Sequence, residues 1–410
     1  MNGSGSGTNV VMLSPGYPVE MSYFTRGLAA VGARVIGVGD QPPHAVPEPA
    51  RHALAHYEHV SLADEGAVMA ALYGLAKHVR IDQVECLWEP YMLLAARIRE
   101  AFGLPGMTVE QTVPFRDKEE MKRRLDAAGI RTPWHVSATS VAQIWEAAEQ
   151  IGFLLIVKPI AGAGSADTYR VDSAAELDDV LPMLRHVPEV SVEEFVDAEE
   201  FTHDTVCANG RILFEHVLWY RPRPLEMRMH EWVSPTAISF RDLTVPHLQD
   251  GRAMGQQVLA ALGFETGFTH LEWYRKEDGE VVFGEIGARP PGVRVVDMMN
   301  YNTDGDLYVG WAEAVVHGRM PALSHRYNVG SICKRARGSG RITAMTGMDR
   351  LMAEYGSDVV LVDLLPIGAP RRDWRASTVG DGILMVRHPE LQRVIEMTER
   401  FASELELHAE

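Results

Sequence analysis

The chain has 410 residues, 46% of them hydrophobic and 23% charged, which is enough for two or three packed subdomains of a soluble globular protein. Its formal net charge of −17 argues against general nucleic-acid binding, and no apolar run is long enough to span a membrane. The cysteines, Cys86, Cys207 and Cys333, are far apart and odd in number, which excludes a disulfide framework and favours a reducing cytoplasm.

The first third of the chain alternates short apolar runs with helical periodicity. Val10–Leu13 is a predicted buried strand, Met21–Val31 a helix and Ala33–Val38 the next strand, so the spacing predicts a parallel sheet with helical crossovers. Asp40 closes the second strand, where a dinucleotide fold places its ribose-binding acid. Only Gly16 lies in the first turn, however, and without the glycine fingerprint nicotinamide binding is disfavoured.

From about Phe115 onward, capping residues mark three predicted helices. Asp117, Ser140 and Ser173 are each followed three residues later by Glu or Gln, the pattern of a capping box. Lys118 lies in the first turn of its helix, where a cation opposes the helix dipole. That position is consistent with a ligand role, and a solvated surface lysine is the alternative.

A run of small residues follows the second of these helices. Lys158 ends an apolar strand directly before Gly162 and Gly164, where small side chains let backbone N–H groups approach phosphates closely. A strand and not a helix follows at Thr168–Val171, so this is neither a Walker A loop nor a Rossmann turn. An ordinary flexible hairpin turn is the alternative.

Two antiparallel hairpins are predicted next. Asn209-Gly210 joins the first pair of strands and Asp278-Gly279 the second, both being strong two-residue turn signals. The segment between the hairpins, Arg221–Asp250, reads as a long irregular loop of the kind that often serves function. From Tyr327 onward the pattern predicts a smaller closing α/β unit.

The second hairpin contains the sharpest chemical signal. A two-residue turn at Asp278-Gly279 places Lys276 opposite Val281 and Glu272 directly opposite Glu285. Facing like charges are destabilising unless something positive lies between them, and Mg²⁺ favours one or two carboxylates with phosphate oxygens and water.

Strand alternation adds further residues to the same surface. His270 falls on the face of the first acid, and Gly287 and Arg289 fall on the face of the second. A solvent-facing hairpin with incidental acids is the alternative, although the apolar and aromatic neighbours of these residues favour a buried hairpin.

The motifs between about Phe115 and Pro321, taken in their order along the chain, resemble those of the ATP-grasp superfamily. The motifs that carry the resemblance are Asp117-Lys118 with Gly129–Pro133, Val157-Lys158-Pro159 with the glycine loop, Val192–Val196 with Glu200-Phe201, His270–Trp273 and Glu285–Gly292. The resemblance implies an α/β fold with an N-terminal parallel-sheet preATP-grasp domain at 1–112. An ATP-grasp domain of two subdomains follows at 113–325, and a small closing α/β domain at 326–410.

The resemblance also implies roles for individual residues. Lys118, Lys158, Gly162 and Gly164 would contact the phosphates of ATP. The side chain of Glu193 and the backbone near Glu194 and Val196 would read adenine, and Glu200 would bind the ribose hydroxyls. Glu272 and Glu285 would hold Mg²⁺, or Mn²⁺ in its place, and the catalytic residues would be Arg289, Lys158 and His270. Many relatives carry Asn where Gly287 stands, so a second metal ion stays open. The resemblance also implies a homodimer.

Three functions compete for this site. The first is a ligase that joins a carboxylate to an amine through an acyl phosphate, releasing ADP and phosphate. The second is a carboxylase-type or purine-pathway enzyme acting on a phosphorylated small molecule, for which Arg221, Arg223 and Arg228 could supply a phosphate site. The third is a nucleotide sensor.

Two features of the sequence help to choose between these functions. Pro290–Arg294 replaces the Gln-Val-Glu-His-like stretch of biotin carboxylases, which argues against bicarbonate chemistry. Both lysines and both acids are retained, which argues against a sensor without catalysis. The sequence therefore favours the ligase, with a small-molecule carboxylate and amine as substrates and no nucleic-acid or membrane partner.

Overall fold

The computed structural model describes residues 7–160 and 167–410. Its first part is built from alternating strands and helices: β1 (Asn9–Leu13), α1 (Met21–Ala30), β2 (Arg34–Gly39), α2 (Glu48–Ala53), β3 (Leu54–His59), α3 (Glu65–Ala76), β4 (Gln83–Glu85), α4 (Met92–Phe102) and α5 (Val109–Thr112). The strands form a parallel sheet in the order β3-β2-β1-β4. The predicted parallel sheet is therefore confirmed, and β1 is buried on both faces as such strands usually are.

The next segment forms a small antiparallel sheet flanked by helices. Its elements are α6 (Lys118–Ala127), β5 (His135–Ala138), α7 (Val141–Ile151), β6 (Leu155–Pro159), β7 (Tyr169–Val171), α8 (Ala174–Val180) and β8 (Val190–Glu194), with strand order β5-β8-β6-β7. The three predicted caps are confirmed, because Asp117, Ser140 and Ser173 each accept a backbone N–H of the helix they begin. The predicted phosphate loop with Gly162 and Gly164 lies outside the described residues.

The remaining elements surround one large sheet. They are β9 (Glu199–Ala208), β10 (Arg211–Arg221), α9 (Pro224–Met229), β11 (Thr236–Ser239), α10 (Pro246–Leu262), β12 (Gly267–Arg275), β13 (Val281–Gly287), α11 (Val295–Thr303), α12 (Leu307–His317), β14 (Asn328–Cys333), β15 (Arg337–Gly338), β16 (Ile342–Thr346), α13 (Met348–Tyr355), β17 (Val359–Leu364), β18 (Gly382–His388), α14 (Leu391–Glu404) and β19 (Glu406–Ala409). Eight strands pair antiparallel in the order β13-β12-β9-β10-β11-β14-β18-β17, and β15-β19-β16 form a separate small sheet.

The segment between the hairpins is more regular than the sequence suggested. Arg221–Asp250 contains α9, β11 and the start of α10, so its prediction as an irregular loop is wrong. Pro224 and Pro246 stand in the first turns of the two helices, where proline is tolerated because the missing N–H has no intrahelical partner. β11 has only four residues, too few to show a period, and its place in the middle of the large sheet depends on distant partners.

The two hairpin turns differ in how well they were predicted. Asn209 and Gly210 have φ angles of 52° and 72° between the paired Ala208 and Arg211, so the first two-residue turn is confirmed. The second turn is not of two residues, because the N–H of Lys276 donates to the carbonyl of Glu280 at 2.9 Å, which leaves a three-residue loop. The predicted pairing of Lys276 with Val281 is therefore wrong, since Val281 pairs with Arg275.

A β-bulge restores the predicted pairing of the two acids. Trp273 pairs with Phe283 but Glu272 pairs with Glu285, so Gly284 is an extra residue on its strand. A Cβ atom on Gly284 would lie 2.8 Å from the carbonyl oxygen of Glu272, which is why a glycine fits here. The bulge compensates for the longer loop, and the two acids face each other as predicted.

Aromatic side chains join the parallel sheet to the large sheet. Phe24 on α1 meets Tyr308 and Trp311 on α12 and Phe268 on β12, with ring centroids 4.9–6.3 Å apart in edge-on geometry. Trp273 on the acid-bearing hairpin is completely buried, so the hairpin is not a solvent-facing one. Within residues 7–160 and 167–410, every helix is too short or too polar to cross a membrane.

Candidate active site

One pocket between the small antiparallel sheet and the large sheet brings together the described residues that the sequence singled out. It is lined by residues from α6, β6, β8 and the segment after it, β9, β12, and β13 and the segment after it. The predicted site residues in its lining are Lys118, Lys158, Glu193, Glu194, Val196, Glu200, His270, Glu272, Glu285 and Arg289. Segments separated by more than a hundred positions in the sequence therefore converge as predicted, while the functional role of each residue stays a prediction.

Glu193 is held between two lysines. Its carboxylate accepts from Lys158 Nζ at 2.8 Å and from Lys122 Nζ, and Lys122 also donates to Ser191 Oγ at 3.3 Å. Burial would raise the pKa of Glu193, but the charges of Lys122 and Lys158 hold it well below its usual range. Both oxygens of the residue expected to read adenine are thus engaged by ammonium groups. The sequence reasoning missed Lys122, whose spacing from Lys118 by one helical turn was the available signal.

The facing acids are tied to different partners. Glu285 accepts from Lys118 Nζ at 2.7 Å, and Glu272 lies 3.4 Å from His270 Nε2. Burial would raise the pKa of Glu285, but the charges of Lys118 and Lys158 lower it, so the carboxylate is held ionised.

His270 is oriented from behind by a fully buried acid. Its Nδ1 lies 2.6 Å from Asp204 Oδ1, and Asp204 is also bonded to His216 Nδ1 at 3.1 Å. Burial would lower the pKa of His270, but the charges and hydrogen bonds of Asp204 and Glu272 raise it to about 9. The imidazole therefore points at Glu272 in a fixed orientation. Asp204, which sequence reasoning missed, lies directly across from His270 in the β9–β12 register.

Arg289 is anchored by an acid from the N-terminal segment. Its Nε donates to Glu89 Oε2 at 2.6 Å, and the other oxygen of Glu89 accepts from Arg116. Gly287 makes room for this arginine, because a Cβ atom there would lie 3.2 Å from Arg289 Cγ. The glycine that removes a possible metal ligand thus allows the arginine to lie over the strand. No sequence signal marked Glu89, which is 200 positions from Arg289.

Glu200 and Arg223 form the far side of the pocket. Arg223 Nε lies 3.4 Å from Glu200 Oε2, and its guanidinium carbon is 5.2 Å from the ring centroid of Phe195 and 5.1 Å from that of Tyr274. Burial and the nearby charge of Glu272 raise the pKa of Glu200. Glu194 also lines the pocket, and both of its carboxylate oxygens accept from Arg131 Nη2 at 2.9 Å.

The acidic side chains of the pocket fit a metal ion that is bound by carboxylates and phosphate oxygens together. Among residues 7–160 and 167–410, no three or more His, Cys, Asp or Glu side chains are grouped to hold a metal by themselves. Glu272 and Glu285 supply two facing carboxylates, and Mg²⁺ is commonly bound by one or two carboxylates plus phosphate oxygens and water. Lys118 and Lys158 supply positive charge beside the same acids, so the pocket suits a polyphosphate carrying a divalent cation.

A second cavity adjoins the first. It shares His270, Glu272 and Arg289 with the first pocket and extends toward α1, α9 and the segment after β13. Its volume is about 690 Å³, which is within the usual range of small-molecule sites. A molecule in this cavity would therefore have one end beside the acid pair.

The fold and several sequences resemble known enzymes. The structure of L-amino acid ligase from Bacillus licheniformis superposes with a TM-score of 0.78 at 19% identity, covering 98% of this chain and 99% of that one. The L-arginine-specific L-amino acid ligase of Bacillus subtilis is 26% identical over 57% of this chain and 59% of its own length. A formate-dependent phosphoribosylglycinamide formyltransferase of Synechocystis is 25% identical over 82% of this chain and 84% of its own.

No family model matches the chain. The architecture together with the paired acids and lysines nevertheless defines the class that the chain is similar to, the ATP-grasp enzymes, and the predicted fold class is confirmed. The similar proteins are named as ligases, synthetases and a formyltransferase. The matched segment spans about three fifths of the length of the arginine-specific ligase.

Proposed function

We propose that the protein is an ATP-dependent carboxylate–amine ligase that forms an amide or peptide bond through an acyl phosphate. The observation that carries the proposal is the register of the β12–β13 hairpin, which sets Glu272 opposite Glu285 beside Lys118, Lys158 and Arg289. The relatives named as amino acid ligases support the same reaction class.

The chemistry follows from charge. An amine does not attack a carboxylate directly, because the carboxylate is anionic and its oxygen is a poor leaving group. Transfer of the γ-phosphoryl group to a carboxylate oxygen removes both obstacles, and the amine then displaces phosphate. Lys118 and Lys158 would bind the phosphates, and Arg289, which pairs with Glu89, would hold the transferring phosphoryl group. Mg²⁺ bound by Glu272 and Glu285 would neutralise charge on the phosphate oxygens. His270 would act as a positioning residue by holding Glu272.

The purine-type alternative is less well supported by the pocket. A ribose phosphate needs cations that are not already neutralised, but Arg223 contacts Glu200 and Arg221 Nη2 lies 2.9 Å from Glu399. The side chain of Arg228 lies outside what the structure describes. The two arginines whose side chains are described, Arg221 and Arg223, are thus engaged by acids, which favours an unphosphorylated substrate.

Oxygen labelling tests the mechanism. Candidate carboxylates and amines are first screened in pairs for phosphate release, with mass spectrometry of the products. The active carboxylate is then labelled with ¹⁸O, and we expect one labelled oxygen in the released phosphate together with ADP. Unlabelled phosphate, or AMP and pyrophosphate in place of ADP, would contradict the proposal.

Three further assignments belong to the same proposal. The chain would divide into domains at 1–112, 113–325 and 326–410, act as a homodimer and work in the cytoplasm. The described cysteines, Cys86, Cys207 and Cys333, are buried and unpaired, which agrees with a reducing compartment. Light scattering of the purified protein tests the dimer, and a molecular mass near 45.5 kDa would contradict it.

A further inference from the structure

The cavity that adjoins the pocket of the acid pair has an apolar wall. We call it the apolar cavity; Met21, Phe24, Leu87, Met227, Pro291 and Val295 contribute to its lining. All of these side chains are buried, and they come from α1, the segment after β4, α9 and the segment from β13 into α11. Four separate parts of the chain therefore surround this space with hydrocarbon.

Most charged side chains that line the apolar cavity already form ion pairs or hydrogen bonds with other protein groups. Glu89 and Arg289 pair with each other, and Glu272 belongs to the acid pair. Arg335 donates Nη1 to the carbonyls of Met227 and His230, both at 2.8 Å, and its guanidinium lies 4.9 Å from the ring centroid of Trp374.

His270 is held between Asp204 and Glu272, and the remaining charged group is the carboxylate of half-buried Glu20. An anionic substituent would meet an arginine that is already engaged, and burying a charge against hydrocarbon without a partner is strongly unfavourable. An apolar substituent loses only its contact with water, which is favourable.

We propose that the apolar cavity binds the acid substrate and selects one with a bulky uncharged apolar group next to its carboxylate. This inference rests on the proposed function, because it places the carboxylate at the end shared with Glu272 and Arg289. The rest of the acid then extends along Leu87, Phe24 and Met227. A volume of about 690 Å³ accommodates side chains as large as those of leucine, methionine or phenylalanine.

Binding and turnover are measured separately to test the two proposals independently. Calorimetry of amino acids with the full-length protein, Mg²⁺ and a non-hydrolysable ATP analogue reports on the cavity, with 4-methylpentanoate as an acid that lacks the amino group. We expect leucine, methionine or phenylalanine to bind at least about tenfold more tightly than alanine, lysine or glutamate, since a methylene in an apolar pocket contributes roughly tenfold or more. Phosphate release with the same acids and a small amine reports on the ligase reaction.

A matched pair of variants links the preference to the cavity. Met227 is buried in the wall, and Met229, on the same helix, is 56% exposed. Met227→Ala should weaken leucine binding roughly tenfold while leaving the affinity for the ATP analogue within error. Met229→Ala should change none of them. Glu20→Gln should leave leucine binding unchanged.

The outcomes separate the two proposals. Tight binding of apolar acids without phosphate release would overturn the ligase and leave the cavity assignment standing. Turnover that favours lysine or arginine and is lost in Glu20→Gln would overturn the apolar assignment and leave the ligase standing. Equal loss of leucine binding in Met227→Ala and Met229→Ala, or in neither, would also overturn the apolar assignment.

Discussion

At the scale of single residues, Glu285 is the acid that lies beside both of the lysines predicted to bind phosphate. It is held ionised by Lys118 and Lys158 and faces Glu272 across the hairpin. Glu285→Gln should lower ligase turnover by at least about a hundredfold, because metal-assisted charge stabilisation contributes several kcal/mol. Glu277→Gln changes an exposed acid on the same hairpin and should have no effect. Phosphate release measures both, and full activity in Glu285→Gln would show that the acid pair is not the metal site.

Glu89 gives a second prediction at this scale. It is the anionic partner of both Arg289 and Arg116, so Glu89→Gln should leave the phosphoryl-binding arginine poorly positioned. We expect kcat to fall roughly tenfold to a hundredfold, with KM for ATP changed by less than about twofold, because misplacement affects the transition state most. The control is Glu65→Gln, whose partner Arg97 lies on the surface. A large rise in KM for ATP with unchanged kcat would place Glu89 in nucleotide binding instead.

At the scale of the element, the β12–β13 hairpin depends on two glycines that differ in what they do. Gly284 forms the bulge that aligns the acids, while Gly279 has a φ angle of 92° in the turn. Gly284→Ala should destabilise the fold by about 1–3 kcal/mol and also abolish turnover, because the added Cβ meets the carbonyl of Glu272.

Gly279→Ala is the matched variant in the same hairpin. It should lower the free energy of unfolding by about 1–3 kcal/mol through backbone strain but keep its turnover. Urea unfolding and phosphate release, measured on both variants, separate the two effects. If Gly284→Ala kept wild-type turnover, the register of the acids would not depend on the bulge.

At the scale of the whole molecule, a buried polar network passes through the middle of the large sheet. His216 Nε2 lies 2.6 Å from Ser239 Oγ, Asn302 Nδ2 lies 3.2 Å from the same oxygen, and His325 Nδ1 is hydrogen-bonded to Asn302 Oδ1. Through Asp204 the network reaches His270 at the active site. The same contacts therefore join β10, β11 and α11 to the strand that carries Glu272.

His325 makes the stability of the whole chain sensitive to acid. Burial, together with the charge of His216, lowers its pKa to about 4. Since the unfolded value is about 6.5, the unfolded state binds the proton first, and stability is lost as the pH falls from about 6.5 toward 4. We expect the free energy of unfolding to drop by about 2 kcal/mol between about pH 7 and about pH 5 from this group.

Urea unfolding at the two pH values measures the His325 effect. His325→Gln should remove most of this loss, and His78→Gln, which changes an exposed histidine, should keep it. An unchanged pH dependence in His325→Gln would assign the loss to other groups.

Local patterns in the sequence were sufficient for the parallel sheet, the three capped helices and the pairing of Glu272 with Glu285. Caps and hairpins involve residues a few positions apart, so their geometry follows from the residues themselves. Even so, the pairing of Glu272 with Glu285 was predicted from a turn one residue too short, and it holds because the bulge at Gly284 compensates for the longer loop. The bulge could not be predicted, since it depends on backbone contacts that hydrophobic periodicity does not show.

Only the tertiary structure decided which partners hold the predicted site residues. Glu89 meets Arg289 across 200 positions, Lys122 and Lys158 share Glu193, and Asp204 orients His270. Each of these contacts depends on how separate parts of the chain pack. The sequence around a charged side chain does not show which distant residue will neutralise it. The apolar cavity is decided in the same way, since its wall is assembled from four segments whose side chains would otherwise read as ordinary core.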